Sequence, residues 1–176
     1  MTIVIKQGIT MYHKISDFIE DWKYESETTL KLFNNLTDDV LSKKFNENVR
    51  SAGRLAWHIT VTIPEMVHRT GLSFEAIDDN APVPATVMEI CDEYKKASDN
   101  MIDAINKNWT DASMAEEVEM YGEMWKKGKT LSSLVKHQTH HRGELIVVMR
   151  FAGLKVVGPY GPSKEEWINY GMEPQE

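Results

Sequence analysis

Cysteine is nearly missing from this chain. Cys91 is the one thiol in 176 residues, so no internal disulfide forms and an apolar core must hold the fold. Long apolar runs are missing too, and none reaches the length of a bilayer span. Positive charge is in deficit, with 20 basic against 27 acidic residues and a formal net charge of -7. The chain therefore lacks the basic footprint that binding to a phosphate backbone needs. Residues 1–10 carry one lysine and no apolar segment followed by a small-residue cleavage site, and do not read as a signal peptide. These absences argue against nucleic-acid and membrane partners and point to a reducing cytoplasm. With 41% hydrophobic and 27% charged residues, the chain suits a single soluble domain over residues 1–176.

The apolar residues recur with helical period in four long segments. Ile15, Phe18, Ile19, Trp22, Leu30 and Phe33 mark a first helix over residues 12–33, with His13 at its exposed start. A turn and a short piece opened by Thr37 follow. Ser51 is placed to cap a second helix over residues 52–70, closed by Gly71, with Pro64 expected to kink it one turn after His58. Residues 71–84 have the Gly, Pro, Asp and Asn content of a long connection. Ala85 or Thr86 then opens a third helix to residue 106, whose core stripe includes Cys91. No basic neighbour lowers the Cys91 pKa, so it reads as a small inert hydrophobe. Residues 107–129 read as a loop with some extended character. There Met120, Tyr121, Met124 and Trp125 either cover the bundle end or line a pocket mouth. Thr130 is expected to cap a fourth helix from residue 131 to 152, ending at Gly153. In the tail, Ser163 and Glu166 form a capping box for a short helix holding Trp167, which packs with Tyr160 across a bundle end or floors a pocket.

The chemistry concentrates in the fourth helix, where residues 136–145 read KHQTHHRGEL. Residues four apart share a helix face, so His137 and His141 turn toward the core together. They are either a ligand pair for one metal ion or bundle histidines satisfied by hydrogen bonds. His58 lies beside the apolar stripe of the second helix with the same choice, and Thr62 and Glu65 share its face. Glu144 sits one turn beyond His141, where it orients an imidazole, acts on a bound water, or pairs with an arginine such as Arg54 or Arg142. Gln138 occupies the place of the base in an H-E-x-x-H peptidase, which disfavours that chemistry.

Trp57–His58–Ile59 early in the chain, the HxxxHRGEL helix, Arg150 through Gly153 and the Gly/Pro-rich segment up to Trp167 together resemble the DinB/YfiT-like family of metal-dependent enzymes. The resemblance implies an all-α four-helix bundle with a long connection between its second and third helices and a short helical tail. It also implies a divalent metal, zinc or nickel, held by His58, His137 and His141, and homodimers paired through bundle helices. Some relatives transfer or isomerise groups with a low-molecular-weight thiol such as mycothiol or bacillithiol. Where the family usually has glutamine, this chain has Glu144.

The functional expectation is a metal-dependent thiol S-transferase or hydrolase. Glu144 or Glu65 is the candidate base and Arg54 or Arg142 the candidate contact for an anionic substrate group. A non-catalytic metal- or ligand-binding dimer is the competing class, and a metal-free interaction protein a third.

Overall fold

The computed structural model describes residues 11–78 and 80–174; the stretch read for a signal peptide lies outside them. Helix α1 spans Ile15–Phe33, a one-turn α2 Asp38–Leu41, α3 Ala52–His68, α4 Val87–Asn108 and α5 Lys127–Phe151. Helix α3 packs against α4 and α5, and α1 against the same two, which closes a four-helix bundle. Its core is built from Phe18, Trp22, Phe33, Leu55, Ile59, Tyr94, Met101, Leu134 and Leu145, all at most 2% exposed. Among the described residues, no helix is long and apolar enough to cross a membrane.

The helix ends follow local chemistry. Ser51 Oγ accepts from the Arg54 N–H at 3.2 Å, and Thr86 with Glu89 forms a complete capping box, so α4 opens at Val87. Helix α1 has no side-chain cap of its own; the Ile15 N–H instead donates to Asp111 Oδ1 at 2.9 Å. His13 is exposed before that helix begins. At the far end of α5, Gly153 takes φ 78° and its N–H bonds the Arg150 carbonyl, while Leu154 bonds Met149, a Schellman close. Helix α3 continues through Pro64 to His68 without interruption.

Two expectations are corrected here. Helix α5 opens at Lys127, four residues before the expected start, and Thr130 lies buried within it rather than capping it. The loop before it is a hairpin: β1 (Glu117–Met120) pairs antiparallel with β2 (Glu123–Lys126). Tyr121 and Gly122 both take positive φ, 55° and 85°, as a type I′ turn requires. Strand β2 runs straight into α5, with the Lys127 N–H held by the Glu116 carbonyl at 2.9 Å. Gly128 is needed at that junction, because a Cβ there would stand 2.0 Å from the Tyr12 carbonyl oxygen. The tail makes one turn of 3-10 helix, Trp167–Tyr170, where only the carboxylate half of the expected capping box is clear: Glu166 accepts from the Ser163 and Gly158 N–H groups.

Candidate metal centre

His58 projects from α3, and His137 and His141 from successive turns of α5. Because α3 and α5 are packed neighbours, the three rings meet. The Nε2 atom of His141 lies 3.2 Å from that of His58 and 3.1 Å from that of His137. The three rings are steeply inclined to one another, with interplanar angles of 62°, 67° and 83°. His141 Nδ1 lies 2.6 Å from Glu144 Oε2. With its proton on Nδ1 toward that carboxylate, His141 presents a single Nε2 lone pair to two other imidazole nitrogens. One lone pair cannot accept well from both, whereas a cation can accept three lone pairs at once. Two nitrogens on zinc bonds of about 2.0–2.1 Å at a tetrahedral angle stand about 3.3–3.4 Å apart, close to what is seen. The donor set also fits: neutral imidazoles suit zinc and nickel alike. The buried Nδ1 of His137 has no hydrogen-bond partner among the described residues.

Burial, followed by the proximity of His141, lowers the pKa of both His58 and His137 to about 4. Both imidazoles are therefore neutral and ligand-competent near pH 7. A folded-state pKa below the usual 6.5 means that the unfolded chain takes up protons first as pH falls. The contribution of these two rings in the metal-free protein should thus be fully present above about pH 6.5 and be lost as pH drops toward 4, below which depressed carboxylates such as Glu165 carry the loss further. Denaturant titrations across this range check it; a slope of opposite sign between pH 6.5 and 4 would contradict the assignment of neutral rings.

Two pockets flank the cluster. One, of about 500 Å3, is lined by Arg54, His58, Val61, Thr62, Glu65, Met66, Tyr121, Trp125, Ser133 and His137. The other, of about 590 Å3, includes Arg50, Leu55, His140, His141, Glu144, Val147 and Phe151. Tyr121 and Trp125 therefore line a pocket, while Met120 is fully buried. Glu65 reaches the first pocket with both oxygens occupied: Arg69 donates to one at 2.8 Å and the Tyr121 hydroxyl to the other at 2.7 Å. The Glu144 carboxyl is held below the usual carboxylate range, chiefly by the hydrogen bond with His141. His140 is exposed, 3.5 Å from the second Glu144 oxygen, and His13 lies apart from the cluster at the exposed approach to α1.

Arg142 corrects an expectation. It is 1% exposed and turned to the opposite face of α5, where it pairs with Glu25 and donates to the Glu25 carbonyl at 2.9 Å. It is not placed to meet a substrate anion. The Tyr160 hydroxyl joins this pair, 2.6 Å and 2.7 Å from the two Glu25 oxygens, so the tail is tied to α1 and α5. Gln138 is fully buried between Tyr94 and the Ile59 carbonyl, a bridge that fixes α5 against α3 beside the histidines. Arg50 is a residue that sequence reading missed; it precedes a cap and belongs to no periodic pattern. Cys91 is half-buried, its pKa raised by burial, as an inert thiol requires.

The comparisons with known proteins agree with this architecture. The chain is 38% identical over 163 residues to the YrdA protein of Bacillus subtilis (strain 168), covering 93% of this chain and 98% of that one. A DinB-like protein from Bacillus cereus ATCC 10987, known from its crystal structure, superposes with a TM-score of 0.80 at 38% identity, over 84% of this chain and 99% of the other. The DinB-like protein YjoA of Bacillus subtilis shares the fold, with a TM-score of 0.63 at 17% identity over 84% of this chain and 99% of that one. The model of the DinB family matches residues 11–176, from the approach to α1 through the tail. A match over nearly the whole bundle, with a close structural relative of the same kind, carries the conclusion that this chain belongs to the DinB family.

Proposed function

We propose that the chain is a metal-dependent enzyme in which His58, His137 and His141 hold one divalent ion, zinc or nickel. The observation that carries this reading is the convergence of the His58 and His137 Nε2 atoms on that of His141, at 3.2 Å and 3.1 Å, between two pockets. Bound by three neutral ligands, such an ion keeps open positions and supplies a Lewis acid that activates water or a thiol. Within that reading, the reaction is transfer of a low-molecular-weight thiol to an electrophile, or hydrolysis. The chain's own residues bind, orient and hold protons. Glu144 fixes the His141 tautomer and ring orientation, a positioning role. Its second oxygen, 3.5 Å from the exposed His140 and without a hydrogen bond, is better placed to take a proton than either oxygen of Glu65, both of which are already bonded.

Elemental analysis of untagged protein tests the reading. About one zinc or nickel per chain is expected in the wild type and in His13→Ala and His140→Ala, and none in His137→Ala/His141→Ala. Equal loss from His140→Ala, or no ion in the wild type after reconstitution, would overturn it. Glu144→Gln keeps a hydrogen-bonding side chain but loses the charge, and should weaken metal binding by about tenfold or more; competition with a chromogenic chelator measures this. Unchanged affinity would remove Glu144 from the site.

A further inference from the structure

The chain has five arginines. Arg69 is paired with Glu65, Arg142 with Glu25 and Arg150 with Glu165. The guanidinium groups of Arg50 and Arg54 make no ion pair or hydrogen bond among the described residues, and both are exposed. These two stand at the histidine centre: Arg54 lines the pocket on the His58 and His137 side, and Arg50 the pocket on the His141 and Glu144 side. Both act electrostatically on His58. Of the nearby carboxylates, Glu65 is taken up by Arg69 and Tyr121, while Glu144 acts on Arg50 through space without forming an ion pair with it. In a protein of net charge -7, two guanidinium groups without an ion pair, one on each side of the histidine centre, mark where a negative charge is to be received. Beside Arg54 the pocket wall turns apolar, with Val61, Met66 and the rings of Tyr121 and Trp125.

We propose that the substrate of this site carries a carboxylate or phosphate group on an apolar body, with the anion held by Arg54 and Arg50 and the body against Trp125 and Tyr121. This rests on the reading of the site as an enzyme centre, but the arginines are independent of the metal ligands. Guanidinium forks suit both oxyanions, so the ligand chemistry is an oxyanion on a flat or aliphatic body.

Calorimetric titration with benzoate, phenyl phosphate and the neutral benzamide, on zinc-reconstituted and on zinc-free protein, tests the proposal. The proteins compared are the wild type, Arg54→Gln and Arg50→Gln/Arg54→Gln, with zinc content measured on the same samples. At least one anion should bind the wild type about tenfold more tightly than benzamide. The double variant should lose about tenfold or more of that affinity with unchanged zinc content. The stronger of benzoate and phenyl phosphate names the anion. Benzamide binding as well as the anions, no binding of any probe in the millimolar range, or anion affinity unchanged in the double variant would overturn the proposal. The last outcome would assign the anion to the metal alone. A wild type that takes up no zinc yet binds the anion through the arginines would instead defeat the metal reading and leave this one standing.

Discussion

Replacing Arg142 with leucine should destabilise the protein by about 3–5 kcal/mol, one of the largest single-residue losses available in this bundle. The arginine side chain is 1% exposed and that of Glu25 9%, so the substitution strands a carboxylate between α1 and α5 with no cation. The Glu25 carbonyl and the Thr29 hydroxyl lose donors at the same time, and the Tyr160 hydroxyl loses the guanidinium that faces it at 2.6 Å. For a chain of this length each kcal/mol moves Tm by about 2–4 °C, so a fall on the order of 10 °C is expected. The cause is the unpaired charge rather than the lost attraction, since a buried ion pair repays little beyond its own desolvation. The double variant Glu25→Leu/Arg142→Leu should therefore recover much of the loss. Thermal and urea unfolding of the four proteins in the cycle measure the coupling. A single variant costing under about 1 kcal/mol would show that Glu25 finds water instead.

Under the proposed metal reading, chelation should have a comparable effect through a different route. An ion that binds only the folded chain stabilises it by about 4 kcal/mol when its free concentration is about a thousand times Kd. Two of the three histidines are on α5 and the third on α3, so the ion would tie together two packed helices that otherwise rely on apolar contact and Gln138. Chelation should lower Tm on the order of 10 °C. The drop should vanish in His137→Ala/His141→Ala, and the stabilisation should fade as pH falls toward 4, where protons compete for His58 and His137. A chelator that leaves Tm of the reconstituted wild type unchanged would contradict a metal held between these helices.

Much of the bundle is legible in the chain because its signals are local. Ser51, Thr86 and Gly153 act on backbone groups within a turn of themselves, so the ends they set are found where sequence places them. The four-residue spacing of His137 and His141 likewise puts both rings on one helix face before any fold is known. The failures have other causes. Helix α5 starts at Lys127 because Glu116 and Tyr12, remote in sequence, receive it. The strand pair reads as a loop because its alternation is short, and the Tyr-Gly turn lacks the Asn or Asp that usually announces it.

By itself, the sequence determined a helical bundle, the faces of its helices, most of their ends and a pair of inward histidines, since each follows from periodicity or from a cap within a few residues. That His58 joins the pair is implied by the family resemblance, but no periodicity or cap could give it, because α3 and α5 are distant in the chain and become neighbours only on packing. Tertiary structure alone sent Arg142 away from the site to Glu25, since one step of about 100° along a helix separates a residue facing the cleft from one facing another helix. It alone left Arg50 and Arg54 without an ion pair, because whether a charge is paired depends on which distant carboxylates the fold brings near and which partners those carboxylates already hold.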